Sequence, residues 1–506
     1  MADDLTEKKV ESSPILLLLI IMSAAQFIFT LDMTFMNVSI TTLVKDLNTT
    51  VSGVQAAITV YTLVMAAFMI AGAKVGDIIG RRKAFFIGLC IYGTGSLITG
   101  LAPNLTVLII GWSVLEGLGA ALVMPAMISL VSANFTEDSA RKKAFAVIPA
   151  AAAVGAAVGP IIGGVLTTYF TWRLGFLMEV LVVIFILLMR KKIKDSPFEG
   201  ERPKFDYPGL LFSAAGLGIL VYGIILAGTY GFFKCKVPYS IGGKEVLSVG
   251  SVSPTVLFVI AGLVILAVFI WWETFRHGRG KDTLINPELF KNLAVIGGVS
   301  TNLFQYFLMT GIMFSLCLFL QTVFGYDAFK TGLTILPLSI TLFFVAIVGS
   351  KLSKRFDPKR IVQVGFLIMV AGAGLMGLGM GSRANGLDFL PAFLVLGTGL
   401  GLVASQINEI EQSAVSKELT GETSGLNYTF QNLGASLGTA IAGALIATFV
   451  VGQGKVTSAT QTNAVAWDMG LLAVLAAFGF LGTLALPKRK DAKLDREDDE
   501  GLASSS

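Results

Sequence analysis

Charge is scarce in this chain. Only 14% of its 506 residues are Asp, Glu, Lys or Arg, whereas soluble proteins average about 25%. That shortage excludes a water-soluble fold of this length. Histidine is scarcer still. The one copy, His277, lies in a basic stretch, which excludes a proton relay through an intramembrane histidine. Three cysteines, Cys90, Cys235 and Cys317, are scattered, and Cys90 and Cys317 fall in apolar runs; neither a disulfide framework nor a metal site follows. No Walker motif and no soluble region is present to hydrolyse a nucleotide. Gly397-Thr398-Gly399-Leu400-Gly401 is no dinucleotide fingerprint, because it lies inside an apolar span with no strand before it. Its use is close helix packing. The expectation is a protein that is not an enzyme, with no catalytic residues, no cofactor, no metal and no nucleic-acid partner.

What the chain has instead is apolar length. Hydrophobic residues make up 54% and the mean hydropathy is +0.77. Crossing the hydrocarbon core takes about 20 apolar residues. Fourteen runs qualify: 15–43, 51–74, 84–102, 106–131, 144–168, 173–190, 207–228, 253–272, 293–322, 331–350, 361–381, 388–412, 424–450 and 467–486. The fold class is an all-α polytopic membrane protein. The charged start (Asp3, Asp4, Glu7, Lys8, Lys9) leads into a long run with no small-residue cleavage site at the expected distance. It reads as an uncleaved first span.

Lys and Arg set the orientation. Of 38, only Lys45, Arg173, Lys234, Lys236, Lys244, Lys330, Arg383 and Lys455 fall on one side of the predicted spans. Both termini are therefore expected in the cytoplasm of a multi-pass plasma-membrane protein. The organisation follows as a tail, 1–14; six spans, 15–190; a cytoplasmic linker, 191–206; a span pair, 207–272, with an outer loop at 229–252; a second linker, 273–292; six more spans, 293–486; and a mixed-charge tail, 487–506, expected to be disordered. Gly242-Gly243 between short β-prone runs suggests that the outer loop is a hairpin; an irregular loop is the alternative.

The stretch Gly155-Ala-Ala-Val-Gly159-Pro160-Ile-Ile-Gly163-Gly164 puts four glycines and a proline in one span. Proline removes a backbone hydrogen bond and glycine weakens a helix, so close helix approach and a local bend are the expected gains. Three other motifs accompany it: Gly76-Asp77-Ile78-Ile79-Gly80-Arg81-Arg82-Lys83 in the first basic loop, Leu31-Asp32-Met33-Thr34-Phe35-Met36-Asn37-Val38 in the first span, and Glu116-Gly117-Leu118-Gly119-Ala120-Ala121 with Pro125 in the fourth. Together, and in this order, they resemble the motifs of the major facilitator superfamily, in particular its fourteen-helix drug:proton antiporter family. Gly155–Gly164 resembles the antiporter motif that marks exporters. Trp172-Arg173, Gln321, Gly325 and Pro337 also fall where that family has such residues. Lys351-Leu352-Ser353-Lys354-Arg355-Phe356-Asp357 stands as a degenerate repeat of the basic loop.

The resemblance implies two six-helix bundles rocking about a central cavity, with two extra central helices inserted between them in the chain. It implies that Asp77, Gly80, Arg81 and Arg82 form a gating latch, engaging Arg141 or a helix end of the second bundle. It also implies that Gly155, Gly159, Pro160, Gly163 and Gly164 face the opposite bundle and seal the inward-facing state. The chain departs from the family in places. Ala56 stands for a tryptophan, Thr41 for a proline, Ser113 for the fourth-helix arginine, Glu116 for a glutamine and Glu179 for an asparagine.

An ionisable side chain at membrane depth costs roughly 2.5–3.5 kcal/mol on insertion scales, so it is a functional candidate. Asp32, Glu116 and Glu179 are three such acids, with no base at their depth other than Arg173. A carboxyl group that alternates between dry and wet surroundings can take up and release a proton; these three are the proton-coupling candidates. A structural hydrogen bond to a neighbouring helix is the alternative for Asp32 and a protonated packing role for Glu116, while for Glu179 an interfacial or structural role is the leading reading because its helix is peripheral in this fold. Polar side chains within apolar runs are candidates for lining a substrate site: Asn37, Gln305, Tyr306, Gln406, Asn408, Asn427 and Gln431.

One charge moving through about 150 mV releases roughly 3.5 kcal/mol, and holding a thousandfold gradient costs about 4.1 kcal/mol. An ion gradient therefore supplies the energy. The expected function is proton-coupled export of amphipathic, cationic, drug-like compounds by a monomer working by alternating access. Its partners are the substrate, protons and the bilayer. The alternatives are export or flipping of a lipid or lipid-linked metabolite on the same fold, and a non-transporting scaffold, against which the intramembrane acids speak. The helix 5 motif disfavours nutrient import.

Overall fold

Helix-start signals recur along the chain at the beginning of four of the spans. In the computed structural model, Thr50 accepts from the Gly53 amide, Asn104 from Val107, Ser253 from Thr255 just ahead of Pro254, and Asn292 from Ala294 and Val295. Each satisfies an amide that the first helical turn leaves free. The structure describes residues 2–135, 138–193, 204–241, 244–353, 355–379, 385–407, 410, 420–451 and 458–486.

Among the described residues, fourteen long helical runs result. They are α1 Ala2–Val38, α2 Val51–Ile79, α3 Arg81–Gly100, and α4, which begins as the turn Leu105–Leu108, passes through a π-helical stretch Ile109–Glu116 and ends as Gly117–Asn134. Then come α5 Asp138–Tyr169, α6 Arg173–Leu188, α7 Tyr207–Tyr230 and α8 Pro254–His277. Last are α9 Leu293–Thr322, α10 Ala328–Leu352, α11 Pro358–Gly379, α12 Leu390–Ala404, α13 Thr420–Val451 and α14 Ser458–Gly482. Among the described residues, 13 helices are long and apolar enough to cross a membrane. The other run, α6, has 16 residues, about 24 Å at the usual rise. The all-α membrane fold class holds. Between α7 and α8, strands β1 Tyr239–Ile241 and β2 Lys244–Leu247 pair antiparallel. Gly242-Gly243, the expected turn, lies outside the described residues, as do Lys354, Asn408 and the 487–506 tail.

The chain divides into two units. The first comprises Met1–Gly218, Gly280–Leu284 and Gly325–Leu336. Within it α1 packs on α5, α3 on both α4 and α6, and α2 on α4. The second comprises Ile219–Arg279, Ile285–Phe324 and Pro337–Ser506. There α9 packs on α13, and α11 on both α12 and α14. The pairing order is thus the same in each.

Small residues make the close pairs possible. Side chains added at Gly434 and Gly438 of α13 would strike the Leu303 and Phe307 carbonyls of α9. Gly397 lies against the Leu338 carbonyl of α10 and Gly399 against that of Gly365 in α11, the packing expected for this segment. α9 is the most deeply buried of the candidate spans and α8 the least. α8 presents Leu257, Leu263, Val264 and Trp271 outward, as a helix bathed in lipid does.

Candidate functional site

Three helices of the first unit each bring one carboxyl group to the same point. Asp32 of α1, Glu116 of α4 and Glu179 of α6 each place an oxygen so that the three lie within 4.8 Å of one another. Asp32 and Glu116 are 0% exposed and Glu179 is 2% exposed. Among the described residues none of the three forms an ion pair. Two ionised carboxylates about 4 Å apart would repel by about 4 kcal/mol even at an effective dielectric of 20. The cluster therefore cannot carry three bare charges; hydrogens or a cation must sit among them.

The surroundings supply donors, not cations. The Trp112 indole N–H lies 3.0 Å from Asp32 Oδ1 and 2.9 Å from Oδ2. Tyr61 of α2 stacks on that indole at 4.8 Å, nearly parallel. Glu179 Oε2 accepts from the Tyr92 hydroxyl at 3.0 Å and from Ser96 at 3.2 Å, both on α3. Glu116 Oε1 accepts from Thr99 at 3.3 Å. Glu116 Oε2 and Glu179 Oε1 have no partner among the described residues. The set of oxygens is also one that a hard cation prefers; protons held on the carboxyls would relieve the same repulsion.

Local backbone choices put the acids there. The π-helical stretch Ile109–Glu116 carries Trp112, Ser113 and Glu116, all fully buried; such stretches are frequent at functional sites. Ser113, standing where the family has arginine, donates to the Ala57 carbonyl of α2 at 2.8 Å. Gly95 leaves the room that Glu116 fills: a Cβ there would come within 2.7 Å of Glu116 Cγ and 2.6 Å of the Gly111 carbonyl.

The glycine motif of α5 lies against the helix that carries Asp32. Gly155 faces the Phe27 carbonyl, Gly159 faces Thr34 and Leu31, and Gly163 faces Phe35 and Val38, all of α1. Gly164 lies on Ala328 and Phe329 at the start of α10, and the Pro160 carbonyl meets Gly332. Phe329 N–H donates to Thr168 at 3.0 Å. Arg173 is no partner of the acids. It pairs with Asp46 at 3.5 Å, donates to the Ala102 carbonyl at 2.9 Å and lies over the Trp172 ring.

At the α2–α3 corner Asp77 pairs with Arg81 at 3.2 Å. Gly80 turns the chain with φ +99°, a conformation side chains other than glycine's resist. Arg82 donates to the Arg190 carbonyl at 2.9 Å. The Arg141 side chain lies outside the described residues.

The candidate lining residues do not share one place. Asn37 donates to the Met33 carbonyl of its own helix at 2.9 Å. Gln406 ties the end of α12 to the Gly349 carbonyl of α10 at 2.8 Å. Asn427 of α13 is hydrogen-bonded to Asn302 of α9. Gln305 is buried on α9, and Tyr306 and Gln431 are half-buried. The reading of isolated polar residues overlooked Asn302, and it overlooked Trp112, Tyr61, Tyr92, Ser96 and Thr99. A hydroxyl or an indole in an apolar run raises no signal until the acid opposite is known.

Comparison with known proteins agrees with this architecture. The chain is 27% identical over 435 residues to multidrug resistance protein Stp of Mycobacterium tuberculosis, covering 86% of this chain and 76% of that one. It is 27% identical over 511 residues to puromycin resistance protein pur8 of Streptomyces alboniger, covering 96% and 93%. Its fold is similar to the crystal structure of a D-xylose-proton symporter, with TM-score 0.63, 13% identity and coverage of 93% and 97%. The sequence profile of the Major Facilitator Superfamily matches residues 22–439. This multi-span chain, a transporter and not an enzyme, belongs to the Major Facilitator Superfamily.

Proposed function

We propose that the chain is a proton-coupled exporter of amphipathic cationic compounds, in which Asp32, Glu116 and Glu179 act together as the proton-carrying group. The observation that supports this most is the meeting of three buried carboxyls from three helices within 4.8 Å, with donors around them and, among the described residues, no base paired with them. A proton taken up there leaves when the acids meet water on the other side; a cationic substrate competes for the same negative charge. The names of the relatives speak of multidrug and puromycin resistance, which favours drug-like cargo. The glycine motif of α5, by its resemblance, favours export. Both termini are placed on the cytoplasmic side by the Lys and Arg bias, with 15–190 and 293–486 as the two six-helix bundles, 207–272 inserted between them in the chain and Asp77–Arg82 as a latch.

Uptake of a fluorescent lipophilic cation into everted vesicles tests the reading. An imposed pH gradient, acid inside, is expected to drive accumulation by the wild type, and Asp32→Asn, Glu116→Gln and Glu179→Gln are each expected to reduce it toward the passive level. Unchanged transport in both Asp32→Asn and Glu116→Gln overturns it.

A further inference from the structure

The second unit holds a buried acid that the proton-carrying group does not use. Asp468 of α14 is 0% exposed. Its Oδ2 accepts from Ser315 of α9, itself 0% exposed. Its Oδ1 is buried with no hydrogen-bond partner among the described residues. Around it Ala464, Val465, Met469 and Leu472 are buried and apolar. The helices packed on α14 are α9, α11 and α13. Among the described residues they bring no charged side chain to act on Asp468; Ser315 is its one polar partner. An aspartate in such a place costs stability if its only task is one hydrogen bond, since a hydroxyl or an amide would make that bond without the charge.

Its position repeats a position already described. In the first unit the glycines of α5 lie on α1, and α6 packs against both α3 and α1. In the second unit the glycines of α13 lie on α9, and α14 packs against both α11 and α9. The seam between α9 and α14 is therefore the internal counterpart of the seam between α1 and α6. Asp32 lies about two turns before the end of α1, and Ser315 about two turns before the end of α9. Glu179 lies about two turns into α6, and Asp468 about three turns into α14. The acid of the second unit thus lies on the helix that corresponds to the one carrying Glu179 in the first, and faces the helix that corresponds to the one carrying Asp32.

We propose that Asp468 is a second, separate proton-carrying carboxyl, so that each cycle moves one proton more than the Asp32–Glu116–Glu179 group moves alone. The bond formed is Oδ1–H, with water as the donor on one side of the cycle and as the acceptor on the other. Ser315 is the positioning residue that holds Oδ2 and leaves Oδ1 free. The proposal rests on the proton-coupled reading above.

The test is a thermodynamic end point, which a merely structural defect does not move: a slow transporter that is still fully coupled reaches the same final gradient. Purified protein is reconstituted in vesicles and given ethidium as the cationic probe. The membrane potential is clamped to zero, and a pH gradient of about one unit is imposed. One coupled proton contributes one factor of about ten to the final accumulation under these conditions. Asp468→Asn is expected to lower the end point about tenfold and still to concentrate ethidium; Asp468→Glu is expected to restore the wild-type end point. Should Asp468→Asn fail to fold, Asp468→Ser, which keeps a hydroxyl for Ser315 but no carboxyl, is read in its place. A wild-type end point in either variant overturns the proposal while the proton-coupled reading stands. A wild-type protein that concentrates no ethidium under the gradient overturns both.

Discussion

The single indole N–H of Trp112 lies within hydrogen-bond range of both Asp32 oxygens, and its ring is fixed by the Tyr61 stack. Trp112→Phe keeps an aromatic ring against Tyr61 and removes the N–H. Leaving a buried carboxyl without its donor costs about 1–3 kcal/mol, so the variant is expected to unfold at a lower temperature in detergent. In a double-mutant cycle with Asp32→Asn the two effects are expected to be non-additive by about 1 kcal/mol, since residues in contact couple by roughly 0.5–3 kcal/mol; additivity would show that the contact carries no energy. At this scale the sequence was half legible. Asp32, Glu116 and Glu179 stand out as charges in apolar runs, because the bilayer makes charge expensive wherever it falls. Trp112 does not, because an indole in an apolar run costs nothing by itself. Asp468 also stayed hidden: it follows Trp467 at the very edge of the predicted 467–486 run, where a charge reads as a boundary. The helix in fact begins at Ser458, and that places the acid inside.

Among the elements, the contact of α5 with α1 decides most. Gly155, Gly159 and Gly163 are spaced by four, so they share one helix face, and that face was visible in the sequence. What it meets was not. The resemblance had pointed the motif at the opposite bundle, whereas these three glycines lie on α1 and Gly164 alone with Pro160 reaches the start of α10. Gly159→Leu drives a side chain into Thr34 and Leu31, the residues flanking Asp32. The cost expected of overpacking is about 1–3 kcal/mol, read as a lower unfolding temperature, together with loss of transport. Gly374→Ala, on α11 with open space around it, is the control and is expected to leave both unchanged. The π-helical stretch of α4 was illegible for a physical reason. Its residues are ordinary apolar ones, and the altered backbone is imposed by the close fit of Gly95, Gly111 and Thr99, a fit between helices that no local propensity encodes.

For the molecule as a whole, span number and charge bias were the most legible properties, because lipid imposes both on the sequence directly. The pairing order shared by the two units was less so: Lys351–Asp357 is a poor copy of Gly76–Lys83, yet the same helix pairs form, since packing follows small residues and apolar faces more than motifs. The proposed orientation predicts that alkaline phosphatase inserted at Gly250, an exposed glycine between β2 and α8, is active, and that green fluorescent protein fused at the C-terminus is fluorescent. The reverse pattern would invert the topology.

The shortness of α6 bears on how the chain is made. A run of 16 residues falls short of the roughly 20 that cross the hydrocarbon, and Glu179 adds the insertion cost of a charge. Such a segment partitions poorly when it leaves the translocon by itself. Its receptors, Tyr92 and Ser96 on α3, are synthesised earlier and already stand in the bilayer when Glu179 arrives. The carboxyl that opposes entry of α6 is thus the group that docks it, and the expected outcome is that Tyr92→Phe with Ser96→Ala lowers insertion of the sixth span, read by a glycosylation-site insertion assay.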